Sequence, residues 1–334
     1  MFPWAHKADI CHLHIGTQKT GTTSLQKLFS VNREYLADAG VLYPDCFGEP
    51  DHRRFTQIAV GDLIAADAQG PPNAMGQPSI NAKEVFKRLR NETQDCRPKH
   101  IIISSEHLHS DVATAGDLQR IKDLLEPFCR KVIVYIHLRP QVDVIISLAS
   151  TAARNGQRVV SAYIDEASPE KRFFDYLSLV HMWEGGFGAE NVRCIAYRRR
   201  SDMAGVLCEA TGVDVGALKA PDKANQSLDV RTIMLLNALA AEDGSKRLPV
   251  EILDALPVEQ PLTIGLWRAQ AVMGKFKTQN EAVIAHRPDL EPGDLDPDWE
   301  RFPEHGNAHQ LDHESPFRPV LQAVIDAYGD RLKV

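Results

Sequence analysis

Gly16 and Gly21 stand five residues apart, with Lys19 between them and Thr22 and Thr23 just beyond. This is the stretch of the chain best suited to chemistry on an anion. The apolar run Ile10 to Ile15 precedes it and a helical pattern follows, so the glycines lie in a strand-to-helix loop. Backbone N–H groups in such a loop converge on one point, and the helix N-terminus adds partial positive charge there. The order nearly matches the pattern G-x-x-x-x-G-K-[ST], but the lysine lies inside the loop and Thr22 takes its usual place. A lysine after the second glycine serves the outer phosphates of a triphosphate. A lysine in the crown of the loop stands near the first phosphate and its leaving bond. Thr22 and Thr23 add hydroxyl donors. A tight strand-to-helix turn would use the same glycines, so the loop needs support from elsewhere in the chain.

Three further strand-like runs end in chemically able residues. His100 to Ile103 leads into Ser104, Ser105, Glu106 and His107, where a carboxylate or an imidazole could take a proton from an acceptor hydroxyl. Val132 to Ile136 leads into Arg139, Asp143 and Ser147 at intervals of four, and an arginine fork with a hydroxyl suits a phosphate. Val192 to Ala196 ends at Tyr197.

These runs, together with Val41 to Tyr43, read as strands buried on both faces. Helical stripes separate them. Leu25, Leu28, Phe29 and Leu36 share one face, with Gly40 placed to end that helix. Leu118, Ile121, Leu124 and Leu125 form a stripe that stops before Pro127, and Val144, Ile145, Leu148 and Ala152 form another, with Pro140 in its first turn. Strands alternating with helices predict a doubly wound α/β sheet, whose ligands lie beyond the carboxyl ends of its strands. From about Asp222 the pattern turns mostly helical, and residues 287 to 318, rich in Pro, Asp and Glu, read as a long surface loop. The expected organisation is a single domain over 1–334, with a nucleotide-binding core over about 8–215 and a helical and loop region over about 220–334.

The bulk numbers narrow the function classes. The net charge is −7 and no long basic tract exists, which speaks against a nucleic-acid partner. The six cysteines are scattered without a C-x-x-C pair, so no zinc site and no disulfide framework is expected. No apolar stretch approaches the roughly 18 residues that span a bilayer, and the N-terminus lacks the order of a signal peptide. The expected location is cytoplasmic.

The stretch His14 to Gln26 resembles the 5'-phosphosulfate-binding loop of sulfotransferases that use 3'-phosphoadenosine 5'-phosphosulfate (PAPS), closest to the bacterial and carbohydrate-modifying branches. Arg139, Asp143 and Ser147 keep the intervals of that family's 3'-phosphate motif. Looser likeness covers Ala210 to Asp214 and Asn225 to Leu228. The resemblance implies a three-layer P-loop fold with a central parallel sheet of about five strands flanked by helices, plus a mostly helical C-terminal part. It implies PAPS as co-substrate, leaving as adenosine 3',5'-bisphosphate without a metal, and an acceptor hydroxyl on a carbohydrate or glycolipid. Gln18, Lys19, Thr20, Gly21, Thr22 and Thr23 would hold the 5' end, Arg139 and Ser147 the 3'-phosphate, and Tyr197 the adenine. Lys19 and Glu106 would be catalytic, with His107 second to Glu106 as base. The late Arg-Lys-Gly signature that completes the 3'-phosphate site is missing, and Arg198, Arg199, Lys275 and Lys277 are candidates to replace it. Two other readings compete. A P-loop kinase-like phosphotransferase needs a lysine after Gly21 and an aspartate for Mg²⁺, and a non-catalytic nucleotide-binding protein could share the fold.

Overall fold

A computed structural model gives the architecture, and it describes residues 6–61, 82–197, 203–221, 227–242 and 248–313. In chain order the regular elements begin with β1 (Ala8–Gly16), α1 (Thr22–Val31), α2 (Arg33–Asp38), β2 (Val41–Leu42), α3 (Arg53–Val60) and α4 (Ala82–Cys96). There follow β3 (His100–Ser104), α5 (His107–Asp111), α6 (Ala115–Leu125), β4 (Cys129–Leu138), α7 (Gln141–Arg154), α8 (Tyr176–Phe187), β5 (Val192–Ala196) and α9 (Met203–Thr211). The last are α10 (Val230–Glu242), α11 (Val250–Ala255), α12 (Leu266–Gly274) and α13 (Lys277–His286). No described helix is long and apolar enough to cross a membrane.

The chain divides into two compact units. The first takes Met1–Leu138, Tyr176–Ala224 and Val283–Asp294, and the second takes Arg139–Asp175, Asn225–Ala282 and Leu295–Val334.

The first unit holds a five-stranded sheet in the order β2-β3-β1-β4-β5, parallel throughout. The expected parallel α/β sheet is therefore present. β1 lies at its centre because Cys11, Leu13 and Ile15 are apolar and fully buried. Its register against β3 pairs His14 with Ser104, so the loop after β1 and the residues after β3 emerge at one edge. α6 forms where expected: Thr114 and Asp117 close a capping box, and Leu118, Ile121 and Leu125 are buried.

Some local expectations are corrected. The helix predicted to run through Leu36 breaks at Asn32, whose side-chain amide donates to the carbonyls of Leu28 and Lys219 at 2.7 and 2.9 Å. A backbone partner far along the chain outcompetes helix continuity there. The region after 287 is more than a surface loop, since Leu290 and Leu295 are buried.

In the second unit Pro140 is the N-cap of α7 rather than part of its first turn. The unit has its own core, in which Val144, Ile145 and Ala152 of α7 pack with Ile233, Leu236, Val272, Phe276, Phe302 and Leu311. Those last two residues, within short 3₁₀ segments and their flanks, are apolar anchors among acidic neighbours, which hydropathy averaging hides.

The sheet interior of the first unit is not wholly apolar. His14 Nδ1 lies 2.8 Å from Ser104 Oγ, and its Nε2 lies 2.9 Å from His137 Nδ1. His12 bridges Tyr135 Oη and His100, and the Nδ1 of buried His52 accepts from the Ser104 amide at 3.1 Å. Burial pushes His14 and His52 down to about 3 and His12 to about 4, and it lowers His137 as well. All four are neutral in the folded state, whereas the unfolded chain takes up protons near pH 6.5. Stability is thus fully present above that pH and falls as pH drops from about 6.5 towards 4, by about 1.4 kcal/mol per pH unit per histidine. Urea unfolding at pH 7.5, 6.5 and 5.5 should show this slope. His14→Gln should flatten it by about one proton, and an unchanged slope would refute the assignment.

Candidate functional site

The loop between β1 and α1 reverses the chain through three left-handed residues, Gly16 at φ 68°, Lys19 at φ 70° and Gly21 at φ 78°. Glycine adopts this conformation freely, but for lysine it costs roughly 1–2 kcal/mol. The strain at Lys19 is held by the surrounding bonds. Thr17 donates from its amide and its hydroxyl to the His137 carbonyl at 3.1 and 2.8 Å, and the Thr20 hydroxyl donates to the Thr17 carbonyl at 2.6 Å. The Gln18 amide points at His109 Nδ1, 3.4 Å away. Thr20 and Thr22 are buried, Gln18, Lys19 and Thr23 are half-buried, and Gly21 is exposed. Thr22 and Thr23 open α1, and Gly21 is its N-cap without a side-chain cap bond. The N-terminus of a ten-residue helix therefore faces the crown of the loop.

Glu106 stands immediately beside this loop. A methyl group added to Gly16 would lie 3.0 Å from Thr22 Cγ2 and 3.4 Å from Glu106 Cβ, so only a glycine admits so close an approach. The Gln26 amide of α1 donates to Glu106 Oε2 at 2.7 Å and fixes the carboxylate. Asp51 and His107 complete a group whose ligand atoms lie within 4.8 Å of one another. Burial raises the Asp51 carboxyl above its ordinary value, its bond from the Arg53 amide opposes this, and the charge of Glu106 raises it further. Tyr197 follows β5, and its ring edge comes within 3.8 Å of a methyl placed on Gly21.

The sequence reading missed Gln26, His109 and Asp51. Gln26 and Asp51 become neighbours of Glu106 only through the pairing of β1 with β3 and the docking of His52 on Ser104. No local motif announces either.

Arg139 and Ser147 lie in the second unit. Arg139 follows β4 directly in the chain, and its Nε is 3.9 Å from Asp143 Oδ2. Ser147 is half-buried in α7, two turns beyond Arg139, with Asp143 between them. Arg301, which no motif singled out, forms an ion pair with the other oxygen of Asp143. Its Nε is buried without a hydrogen-bond partner among the described residues. Burial, and then the charge of Arg139, holds the Arg301 guanidinium down to about 10. Two guanidiniums thus share one carboxylate. Of the residues named to replace the missing signature, Lys275 donates to the carbonyls of Asp165 and Ala167 and Lys277 is exposed. Arg198, Arg199, Asn225 and Gln226 lie outside the described residues.

No protein-family profile matches the chain, and no curated protein sequence matches it. A solved structure of a sulfotransferase from Alicyclobacillus acidocaldarius is similar over 69% of this chain and 92% of its own, with 18% identity and a TM-score of 0.42.

The two loop glycines should respond differently to alanine. Both substitutions incur the left-handed cost of roughly 1–2 kcal/mol. Gly16→Ala adds the crowding against Thr22 and Glu106, whereas the nearest atom to a Gly21 methyl is 3.8 Å away. Chemical denaturation should therefore rank Gly16→Ala as the less stable protein; equal losses would mean that the approach of Glu106 is not tight.

Proposed function

We propose that the chain is a sulfotransferase that moves a sulfonate group from PAPS to an acceptor hydroxyl, with a carbohydrate or glycolipid as acceptor class. The observation that carries this reading is the pairing of a lysine in the crown of an anion-binding loop with a carboxylate fixed beside the same loop. The first suits a leaving phosphate and the second an attacking hydroxyl. The acceptor class comes from the motif resemblance.

The reaction is an in-line displacement at sulfur. Glu106 takes the acceptor proton as the oxygen attacks, the new S–O bond forms, and the bond from sulfur to the 5'-phosphate oxygen breaks. Lys19 meets the charge that grows on that oxygen, a preorganised cation in a place already set by its backbone. Gln18, Thr20, Gly21, Thr22 and Thr23 bind the 5'-phosphate, and Tyr197 takes the adenine. Gln26 orients Glu106. Asp51 lies beside it. Arg139 and Ser147 bind the 3'-phosphate, and Arg301 supplies the cation that the missing signature would have given. The two half-buried arginines stand against the two oxygens of one carboxylate, which sets both guanidiniums side by side for the 3'-phosphate.

Incubation with labelled PAPS and a panel of hydroxyl acceptors tests the reading, and nucleotide binding without transfer to any of them would count against it. Lys19→Gly separates strain from function. Turnover should fall by a factor of about 10²–10³, while stability holds or rises slightly because glycine relieves the positive φ. Glu106→Gln should lower turnover with nucleotide affinity unchanged; if His107→Ala alone abolishes turnover, the base is misassigned. Arg139→Ala and Arg301→Ala should each weaken adenosine 3',5'-bisphosphate by about 10- to 150-fold and adenosine 5'-phosphate little, as loss of a charge-assisted bond predicts. Calorimetry with both nucleotides completes the cycle. Equal losses for the two ligands would make these arginines structural.

A further inference from the structure

The sequence contains no metal-binding motif, yet the first unit assembles one from two distant segments. His181 and Glu184 lie three residues apart on α8 and so project from the same helix face. His286 is the last residue of α13, and its Nε2 reaches Glu184 Oε2 at 2.7 Å. The rings of His181 and His286 meet edge to face with centroids 4.7 Å apart. One donor atom from each of the three residues lies within 4.8 Å of the others. Both imidazoles are exposed, so an ion can enter from solvent.

The charges around this group favour a cation. Arg287 donates to Glu184 Oε1 at 2.5 Å, but the same guanidinium makes a two-pronged pair with Asp289 at 3.0 and 2.7 Å. Glu184, Arg287 and Asp289 together therefore carry one net negative charge. Arg287 is almost fully buried and also donates to the Val192 carbonyl at 2.7 Å, which anchors it to the start of β5. A carboxylate ligand whose second oxygen is held by a fixed partner is the arrangement that orients metal sites. Two imidazole nitrogens and one carboxylate oxygen make a zinc-type donor set with room for water in the fourth position.

We infer that His181, Glu184 and His286 form a binding site for a divalent transition-metal ion of the zinc class. The site lies at the amino end of β5, and the anion-binding loop lies at the carboxyl end of β1 in the same parallel sheet. The ion therefore stands at the opposite edge of the sheet from Lys19 and Glu106, and its role is to tie α8 to the last turn of α13.

Titration of the metal-free full-length protein with Zn²⁺ in a calorimeter tests this, with Co²⁺ absorbance as a second readout of the donor set. One equivalent should bind, and zinc should raise the thermal midpoint of the wild type. His181→Ala and His286→Ala should each reduce affinity by at least the 10- to 100-fold that loss of a mere outer-shell partner causes. Both also remove the thermal shift. Both side chains are exposed, so folding survives their loss, and circular dichroism verifies it. His305→Ala alters a histidine in the second unit whose side chain is 85% exposed, and it should change nothing. The inference is overturned if no zinc binds at millimolar concentration, or if the His181→Ala, His286→Ala double variant binds as tightly as the wild type.

Discussion

The chain has to reverse from β1 into α1 within the few residues between Gly16 and Thr22, and the site depends on that reversal. Three positive-φ residues accomplish it, and two are glycines for which the conformation is free. The third, Lys19, is held there by the bonds of Thr17 and Thr20 and by its position in the crown. A backbone in this conformation determines where its side chain starts, so the strain fixes the origin of the cation. Because the turn is short, the first turn of α1 presents its amides to the same point. Because Gly16 lacks a side chain, Glu106 can approach from β3. A looser turn with ordinary backbone angles would give up both.

Beneath the turn the sheet is polar but uncharged. His14, His137 and Ser104 form a buried chain of hydrogen bonds, and the His137 carbonyl also receives both Thr17 donors. Burial lowers both histidines far enough to keep them neutral at physiological pH. The consequence is electrostatic: neither His14 nor His137 places an imidazolium beneath the loop, where Lys19 and the helix terminus supply positive charge. It is also a matter of specificity. Each histidine finds its partner only when β1, β3 and β4 stand in the observed register, so a slipped strand would strand a buried polar group at a cost of about 1–3 kcal/mol.

Legibility in the sequence followed the range of the interactions involved. Strands β1, β3, β4 and β5 were readable because a strand buried on both faces is a short apolar run, and Gly16 and Gly21 because turn chemistry is local. The break at Asn32 was not readable, since the group that captures its side chain is the backbone of Lys219. Gln26, Asp51 and Arg301 were missed for the same reason. Each is an ordinary polar residue in its own stretch of sequence, and its meaning arises only from the residue it meets after folding. The positive φ of Lys19 was likewise invisible, because lysine carries no propensity for it.

Asp143 illustrates how one such meeting changes a residue's role. In sequence it is a spacer between Arg139 and Ser147, an acid in the first turn of α7 that would simply favour the helix dipole. In the second unit its two oxygens face two different arginines. One carboxylate thus serves two half-buried guanidiniums, one at each oxygen. The carboxylate aligns the two guanidiniums and limits their mutual repulsion. That division of labour explains why an arginine far along the chain, with no motif around it, becomes an integral part of a cluster whose other members lie on a single helix and its leading edge.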